Sequence, residues 1–466
     1  MPRTKVAKNR AGFDWIIFIL YLSLVGIGLM MIYSTTYHDQ GDQSPFALST
    51  VFGKQILWTV LSIAILFAVY FIEWGLWNSL SLPLYILGIL SLLALFVFGV
   101  EIKGARSWFN IGGFTIQPSE FVKFSTSLLI ASLLSSIRIN LREFRSQLMI
   151  FGLIAVPAIL IVLQPDPGSA ITFFSLFILL YRRGLPNLYY ITAISFFITL
   201  VLSLVFQYVN VISLIFLMVI ILFVNYGKSK TNRLLFVVVC ILSNIMLYRY
   251  GLMAYALIAN ALIAIGLIFW GDRDRGLTTK WAIMGYISVL CLLSFSSNYA
   301  FNNILKPHQQ DRINVWLQPE KCDPRGSLYN LLQSKLAIGS GGVTGKGYMN
   351  GTLTKLNYVP EQTTDFIFSS IGEEQGFIGS ASIIILFLFL ILRIFHVGEK
   401  SNFLFITCFC YAVAGFLFLH FFINIGMTMG LTPVIGIPLP FVSKGGSSLI
   451  AFSIMVGVVL KMNEAR

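Results

Sequence analysis

Charged residues are scarce in this chain. They make up 11% of its 466 residues, while 57% are hydrophobic, whereas a soluble domain carries about 25% charged residues. This shortage excludes a water-soluble fold. A net charge of +13 would suggest a nucleic-acid ligand in a soluble protein. Here the excess positive charge lies in short loops between apolar runs, so we expect no nucleic-acid partner.

Cysteine and histidine are also few. The five cysteines have no CxxC spacing, and most of them lie inside apolar runs, which indicates helix packing rather than metal binding. None of the four histidines has a second histidine or a cysteine at ligand spacing. The sequence therefore predicts no zinc site, and it leaves the need for any other metal open.

Long apolar runs are what the chain has in abundance. Each is long enough to cross the hydrocarbon core as a helix, so the sequence predicts an all-α polytopic membrane protein with about 14 transmembrane helices. We treat residues 1–466 as a single integral membrane domain. About five spans fit between Asn187 and Phe301, and the others begin near Phe13, Ile56, Pro83, Phe121, Leu148, Ser169, Gly376, Asn402 and Ser447.

The basic residues of the short loops predict the orientation of the chain. If the N-terminus is cytoplasmic, every second loop is cytoplasmic, and these are the loops that carry clustered lysine and arginine. Both termini are then expected in the cytoplasm. The clustered residues are Arg138, Arg142, Arg145, Arg182, Arg183, Lys228, Lys230, Arg233, Arg273, Arg275 and Lys280.

Two outward segments interrupt the apolar pattern. The first, Phe301–Gln375, is polar and holds most of the remaining ionisable groups, so chemistry is expected there. The second, Gly426–Ser448, is rich in glycine and proline, which prevents a regular helix. Irregular backbone at membrane depth must pack against protein or line a cavity, so we predict a re-entrant segment.

Asp365 is the sharpest candidate for catalysis in the large loop. It leads directly into the apolar run FIFSSI, where an ionised carboxylate needs a partner or a function. A carboxylate in such a setting could take a proton from a sugar hydroxyl. The alternative is that Asp365 caps a helix that starts at Phe366.

Several charged residues are candidates for substrate binding. The glycine run Gln333–Gly347 does not match the phosphate-loop pattern, but Lys335, Lys346 and its backbone amides could bind phosphate, or the run could be a flexible turn. Glu120 and Lys123 are spaced to pair with each other. Arg106 beside Trp108 is typical of an interfacial anchor.

Six motifs follow one another along the chain: KGARSWFNIGGFTIQPSEFVK, QPDPGSA, the Asp311-Arg312 stretch, QSKLAIGSGG, VPEQTTDFIFSSIGEEQGF and INIGMTMGLTPVIGIPLPFVSKGGSS. In this order they resemble the motifs of the SEDS family (shape, elongation, division and sporulation), and their details resemble its elongation branch. The resemblance covers the chain from about Phe13 to Pro186 and from about Lys306 to its end.

The resemblance implies a peptidoglycan glycosyltransferase of the bacterial cytoplasmic membrane that polymerises lipid II during cell elongation. The family's essential acidic residue falls on Asp365. Arg312, Lys335 and Glu361 become candidates for holding the acceptor or the diphosphate, besides Lys346, Glu120, Lys123 and Arg106. A divalent cation, Mg²⁺ or Mn²⁺, is an open alternative for offsetting the diphosphate charge. The expected partners are a class B penicillin-binding protein and other elongation-complex membrane proteins.

The chain departs from the family pattern in two places. About four extra spans fill residues 187–300, and because this number is even, the catalytic loop 301–375 stays on the outer face. In addition, Lys444 stands where the family commonly has tyrosine.

Two rival functions stay open at this stage. One is a transporter that flips the lipid-linked precursor, and the other is an inactive scaffold that recruits a transpeptidase.

Overall fold

The structure is a computed structural model that describes residues 12–37, 44–102, 104–136, 139–224, 230–271, 276–305, 307–326 and 328–465. Side chains are described for these residues except 111, 223, 224, 230–235, 270, 271, 308 and 312. Of the basic residues that predicted the topology, Arg138, Lys228, Arg273 and Arg275 lie outside the described ranges. The chain divides into two compact units, one formed by Met1–Pro186 with Asp323–Arg466 and the other by Asn187–Cys322.

Helices dominate the first unit because most of its sequence is continuous apolar runs, which satisfy their backbone groups internally as helices. Three of these helices begin at a side-chain cap, since Asp14 accepts from the Ile17 amide, Thr50 from the Gly53 amide and Asp166 from the Ser169 amide. The helices are α1 Trp15–Thr36, α2 Val51–Tyr70, α3 Trp74–Ser79, α4 Ser81–Phe98, α5 Pro118–Ser135, α6 Phe144–Leu163, α7 Pro167–Ile171 and α8 Leu176–Arg182.

The second unit is also helical and begins at Asn187, where the extra spans are expected to begin. Its helices are α9 Asn187–Val205, α10 Tyr208–Val224, α11 Lys230–Arg249, α12 Met253–Gly266, α13 Leu277–Asn303 and α14 Pro307–Leu317. The first unit then resumes with α15 Tyr329–Ser340, α16 Thr352–Lys355, α17 Ile367–Lys400, α18 Leu404–Met429 and α19 Gly446–Glu464.

The core of the first unit lies around α18 and α19. In their most apolar stretches 72% and 78% of the residues are buried, against 22% in α4. The two helices therefore form the centre of this unit, while α4 exposes most of its apolar surface, as a helix facing lipid does. The glycine- and proline-containing segment between α18 and α19 is consequently held next to the core.

The all-α prediction is confirmed with one small exception. Three short antiparallel strands, β1 Val100–Ile102, β2 Ala105–Ile111 and β3 Phe114–Ile116, form a sheet between α4 and α5. Among the described residues, nine helices are long and apolar enough to cross a membrane, and four further apolar helices are shorter. The total of about 14 spans stays a prediction.

Two boundaries differ from the sequence prediction. The helix expected near Gly376 begins at Ile367 and passes through Gly376 with non-helical angles, φ 64° and ψ −158°. The predicted loop Phe301–Gln375 contains α14, α15, α16 and the first turns of α17, so much of it is helical.

Candidate active site

The segment between α18 and α19 is the centre of the candidate site. Residues 430–445 form no regular helix or strand, and they contain Pro433, Pro438 and Pro440. Even so, the side chains of Ile437, Leu439, Phe441 and Val442 are at most 3% exposed. The irregular backbone is therefore packed against protein, as non-helical backbone within a membrane must be.

Asp365 lies against this segment at Gly436. The Gly436 backbone has φ +79°, and a Cβ added there would lie 3.2 Å from Asp365 Oδ2. Glycine thus permits both the left-handed backbone and the close approach of the carboxylate. Asp365 itself is half-buried. It is therefore neither sealed in the core nor fully in solvent.

Hydrogen bonds fix the backbone on both sides of Asp365. The buried Asn424 of α18 donates to the Asp365 carbonyl at 3.0 Å and to the Ile437 carbonyl at 2.7 Å. Ser443 Oγ donates to the Thr364 carbonyl at 2.6 Å. The loop that carries Asp365 is therefore held to the segment by one side chain of α18 and one side chain of the segment itself.

The capping alternative for Asp365 is wrong as stated. Helix α17 begins at Ile367, and its N-cap position is taken by Phe366. Asp365 precedes the cap residue, and its carbonyl is bound by Asn424. The side chain is thus presented by the turn before the helix rather than by the helix end.

Glu120 and Lys123 form a buried pair that reaches the same segment. Lys123 Nζ lies 2.7 Å from Glu120 Oε1 and 2.9 Å from His420 Nε2. His420 Nδ1 in turn lies 3.2 Å from the Pro438 carbonyl oxygen. All three ionisable side chains are at most 3% exposed. The pairing predicted from spacing is present, and the structure adds His420 as a link to the segment.

The QPDPGSA motif meets the segment on another side. Asp166 caps α7 by accepting from the Ser169 amide at 3.0 Å. Its other oxygen accepts from Gln117 Nε2 at 2.9 Å. A Cβ on Gly168 would lie 2.9 Å from the Ile435 carbonyl oxygen. This motif is therefore packed directly against the segment that contacts Asp365.

Lys346 is bound to a buried carboxylate. Its Nζ lies 2.7 Å from Oε1 of Glu373, which is completely buried. Glu373 also accepts from the Leu353 and Thr354 amides, both at 2.9 Å. This arrangement favours a structural role for Lys346 in the loop, and a phosphate-binding role for it stays a prediction.

Glu374 stabilises the same loop through its two carboxylate oxygen atoms. The Ser34 hydroxyl of α1 donates to Glu374, and the Met349 amide donates to its Oε2 at 3.2 Å. Burial, together with the nearby Glu374 charge, raises the pKa of the Tyr348 hydroxyl. Glu373 and Glu374 were not among the predicted site residues, although two adjacent carboxylates at the start of an apolar span were a usable signal.

The remaining predicted residues have less direct contacts with the site. The exposed Lys335 lies close to Gly430, at the start of the segment. A Cβ added to Gly430 would lie 2.7 Å from Lys335 Nζ. Glu361 is exposed and accepts from Thr364 Oγ1 at 2.9 Å. Arg106 is exposed in β2 and donates to the Phe96 carbonyl at 3.4 Å.

Arg312 belongs to α14 of the second unit, and its side chain lies outside the described part of the chain. The described residues contain no group of three or more histidine, cysteine, aspartate or glutamate side chains that could hold a metal ion. The expectation of a divalent cation therefore has no set of ligands among these residues.

Comparison with known proteins places this chain in a family. A family model described as "Cell cycle protein" (FtsW/RodA/SpoVE) matches residues 14–215 and 204–466. The peptidoglycan glycosyltransferase RodA of Treponema pallidum is 30% identical over 98% of both chains. The peptidoglycan glycosyltransferase MrdB of Escherichia coli K12 is 26% identical, with 100% of this chain and 97% of that protein covered.

Solved structures share the fold. One is a chain of a peptidoglycan synthase complex that coordinates polymerization and crosslinking. It aligns with a TM-score of 0.64 and 22% identity, and 97% of each chain is covered. Rod shape determining protein RodA of Thermus thermophilus aligns with a TM-score of 0.55, 22% identity and coverage of 97% of this chain and 96% of that one. The resemblance to the SEDS family is confirmed: the chain belongs to the FtsW/RodA/SpoVE family of cell cycle proteins.

Proposed function

We propose that this chain is a peptidoglycan glycosyltransferase of the cell-elongation type, which joins lipid II units on the outer face of the cytoplasmic membrane. The observation that carries the proposal is the position of Asp365, whose carboxylate lies next to Gly436. Gly436 belongs to the segment between α18 and α19, which also contacts the QPDPGSA motif and His420. Membership of the family and relatives named as peptidoglycan glycosyltransferases support the same activity.

Asp365 acts as the general base. It takes the proton of the acceptor sugar's 4-hydroxyl while that oxygen attacks the anomeric carbon of the donor. The new glycosidic C–O bond forms as the bond from the anomeric carbon to the donor's diphosphate breaks, and undecaprenyl diphosphate leaves with the electron pair. A positioned base of this kind contributes about 10²–10⁴-fold in rate. The hydrogen bonds from Asn424 and Ser443 hold the base in place.

Positive charge near the segment offsets the charge on the leaving diphosphate. Lys335 is the best placed of the predicted cations, because its Nζ is exposed beside Gly430 at the start of the segment. An ammonium group interacts with phosphate as a point charge. Lys346 is already paired with Glu373, so we assign it to the support of the loop.

The buried Glu120–Lys123–His420 cluster supports the segment between α18 and α19. It connects α5 to the Pro438 carbonyl. Direct substrate contact by Glu120 or Lys123 stays a proposal, as it does for Arg106, Arg312 and Glu361. We place both termini in the cytoplasm, and we expect a class B penicillin-binding protein and elongation-complex membrane proteins as partners.

A vesicle assay tests the activity against the rival transporter. Purified chain is reconstituted, and fluorescent lipid II is supplied on the face that carries the Phe301–Gln375 loop. We expect glycan polymer without net movement of lipid II to the opposite leaflet. Translocation without polymer would overturn the proposal in favour of a flippase, and neither product, with a transpeptidase still bound, would favour a scaffold.

A further inference from the structure

The second unit contains a polar cavity of about 580 Å³ that the proposed reaction does not use. It lies where α9 ends and α10 begins, next to the end of α13 and to the turn after α14. Cavities of about 300–1,000 Å³ are typical of small-molecule sites. The lining residues are Leu204, Val205, Phe206, Gln207, Tyr208, Val209, Asn298, Phe301, Asn302, Asn314, Gln318 and Lys321.

Carboxamides set the chemistry of this cavity. Five of its lining side chains are asparagine or glutamine, one is a cation and none is a carboxylate. Each carboxamide offers both a hydrogen-bond donor and an acceptor, which suits ligands with many hydroxyl groups. Phe206, Tyr208 and Phe301 add aromatic surface, on which the apolar face of a sugar ring can pack. Among the lining side chains, the cations that favour phosphate are limited to Lys321.

Hydrogen bonds orient three of the carboxamides. Gln318 Nε2 donates to the Val205 carbonyl at 2.8 Å. Asn298 Nδ2 donates to the Ser203 carbonyl at 3.1 Å, and Asn302 Nδ2 donates to the Asn298 carbonyl at 2.9 Å. Gln318 and Asn302 thus each use side-chain N–H donation within the protein. Their side-chain oxygens are the atoms that can accept from ligand hydroxyls.

We propose that this cavity binds a disaccharide of N-acetylated amino sugars, with an acidic substituent directed at Lys321. The amide oxygens and donors match hydroxyl and acetamido groups, and Lys321 is the one cation of the lining. This inference rests on the proposed function, because a growing glycan strand supplies such sugars on the outer face. The cavity then binds part of that strand.

A matched pair of variants tests the site in the full-length protein in nanodiscs. Asn302 and Asn303 are both exposed, and each donates to the carbonyl oxygen four residues earlier, at 2.9 and 3.0 Å. Only Asn302 lines the cavity. We expect the double variant Asn302→Ala/Gln318→Ala to bind the disaccharide N-acetylglucosaminyl-N-acetylmuramic acid at least about 10-fold more weakly in calorimetry. Asn303→Ala binds it like the wild type.

Lys321→Gln tests the charge separately and is tolerated by folding because Lys321 is exposed. It weakens binding of the acidic disaccharide but leaves binding of neutral N,N′-diacetylchitobiose unchanged. The inference is overturned if the wild type binds neither sugar, if Asn302→Ala/Gln318→Ala and Asn303→Ala bind alike, or if Lys321→Gln affects both sugars equally.

Polymerisation of lipid II is measured on the same preparations. A wild type that makes polymer but binds no disaccharide overturns the sugar site alone. A wild type that binds the disaccharide through Asn302 and makes no polymer overturns the proposed function alone. Asp365→Asn protein is expected to retain disaccharide binding, since Asp365 is not among the residues that line the cavity.

Discussion

At the scale of single residues, backbone strain occurs in the parts of the chain that meet at the site. Glu361 and Phe441 have φ values of 57° and 65°. They lie in the loop before Asp365 and in the segment between α18 and α19. Conformations of this kind cost about 1–3 kcal/mol each and persist only where the surroundings impose them. Phe441 is buried against Tyr21, with ring centroids 5.2 Å apart.

Gly436→Ala tests the close approach of Asp365. The added Cβ meets Asp365 Oδ2 and the left-handed backbone is strained, so we expect polymerisation to fall at least about 10-fold. Gly184→Ala is the control, since Gly184 has φ +83° but nothing within 4 Å of an added Cβ. The steady-state rate of polymer formation is measured for both. Equal rates for the two variants would show that Gly436 does not position the carboxylate.

Lys123→Met tests the buried ion pair. Removing the cation leaves Glu120 charged and buried, which costs about 3–5 kcal/mol. The control is Lys461→Met, which breaks a pair of the same i,i+3 spacing whose members are 23% and 27% exposed. We expect a change of at most about 1 kcal/mol there. Thermal unfolding in detergent compares the two, and a similar loss in both variants contradicts the assignment.

Lys444→Tyr restores the residue common in the family. The backbone amide of Lys444 donates to the Thr363 carbonyl at 2.8 Å, in the loop that carries Asp365. Any residue except proline keeps this hydrogen bond. We therefore expect Lys444→Tyr to polymerise lipid II within about twofold of the wild type, and Lys444→Pro to lose most activity. A large loss in Lys444→Tyr would assign the lysine side chain a role in the reaction.

At the scale of elements, the sequence was sufficient for most helices and insufficient for their contacts. Apolar runs placed α1, α4 and α18 within a few residues of their observed starts, because burying backbone in lipid forces a helix. The three-residue strands β1 and β3 lie beyond such reasoning, since each is too short to show a period.

The contacts of the candidate site depend on residues far apart in sequence. Asp365 was identifiable from its motif, but its approach to Gly436 follows from tertiary packing. In the sequence, His420 was recognisable only as a polar residue within an apolar helix. Such a residue is as compatible with packing as with function. The pattern of the chain therefore indicated candidate residues, whereas the contacts between them follow from the fold.

Glu373→Gln tests the loop that precedes α17. The buried carboxylate holds Lys346 and the backbone at Leu353 and Thr354, so the amide replacement leaves Lys346 without its anion. We expect faster proteolysis of the loop between α15 and α17, because its backbone is released. Glu399→Gln serves as the control, since its ion pair with Arg182 is exposed. Unchanged proteolysis in Glu373→Gln would contradict the supporting role.

At the scale of the whole molecule, the account requires a fixed orientation in the membrane. Thr344 and Asn402 are both exposed, and the proposed topology places them on opposite sides. In a variant without the five native cysteines, we expect a membrane-impermeant maleimide to label Thr344→Cys in intact spheroplasts. Asn402→Cys should be labelled only after permeabilisation. Labelling of Asn402→Cys from outside would place the catalytic loop in the cytoplasm.

The central claim is that Asp365 is the proton acceptor for sugar transfer. The most direct measurement is polymer formation from lipid II by purified Asp365→Asn protein, with Asp323→Asn, an exposed carboxylate in the same predicted loop, as the control. We predict that Asp365→Asn folds normally and polymerises about 10²–10⁴-fold more slowly, while Asp323→Asn keeps the normal rate. Glycan strands made by Asp365→Asn at the wild-type rate would contradict the account.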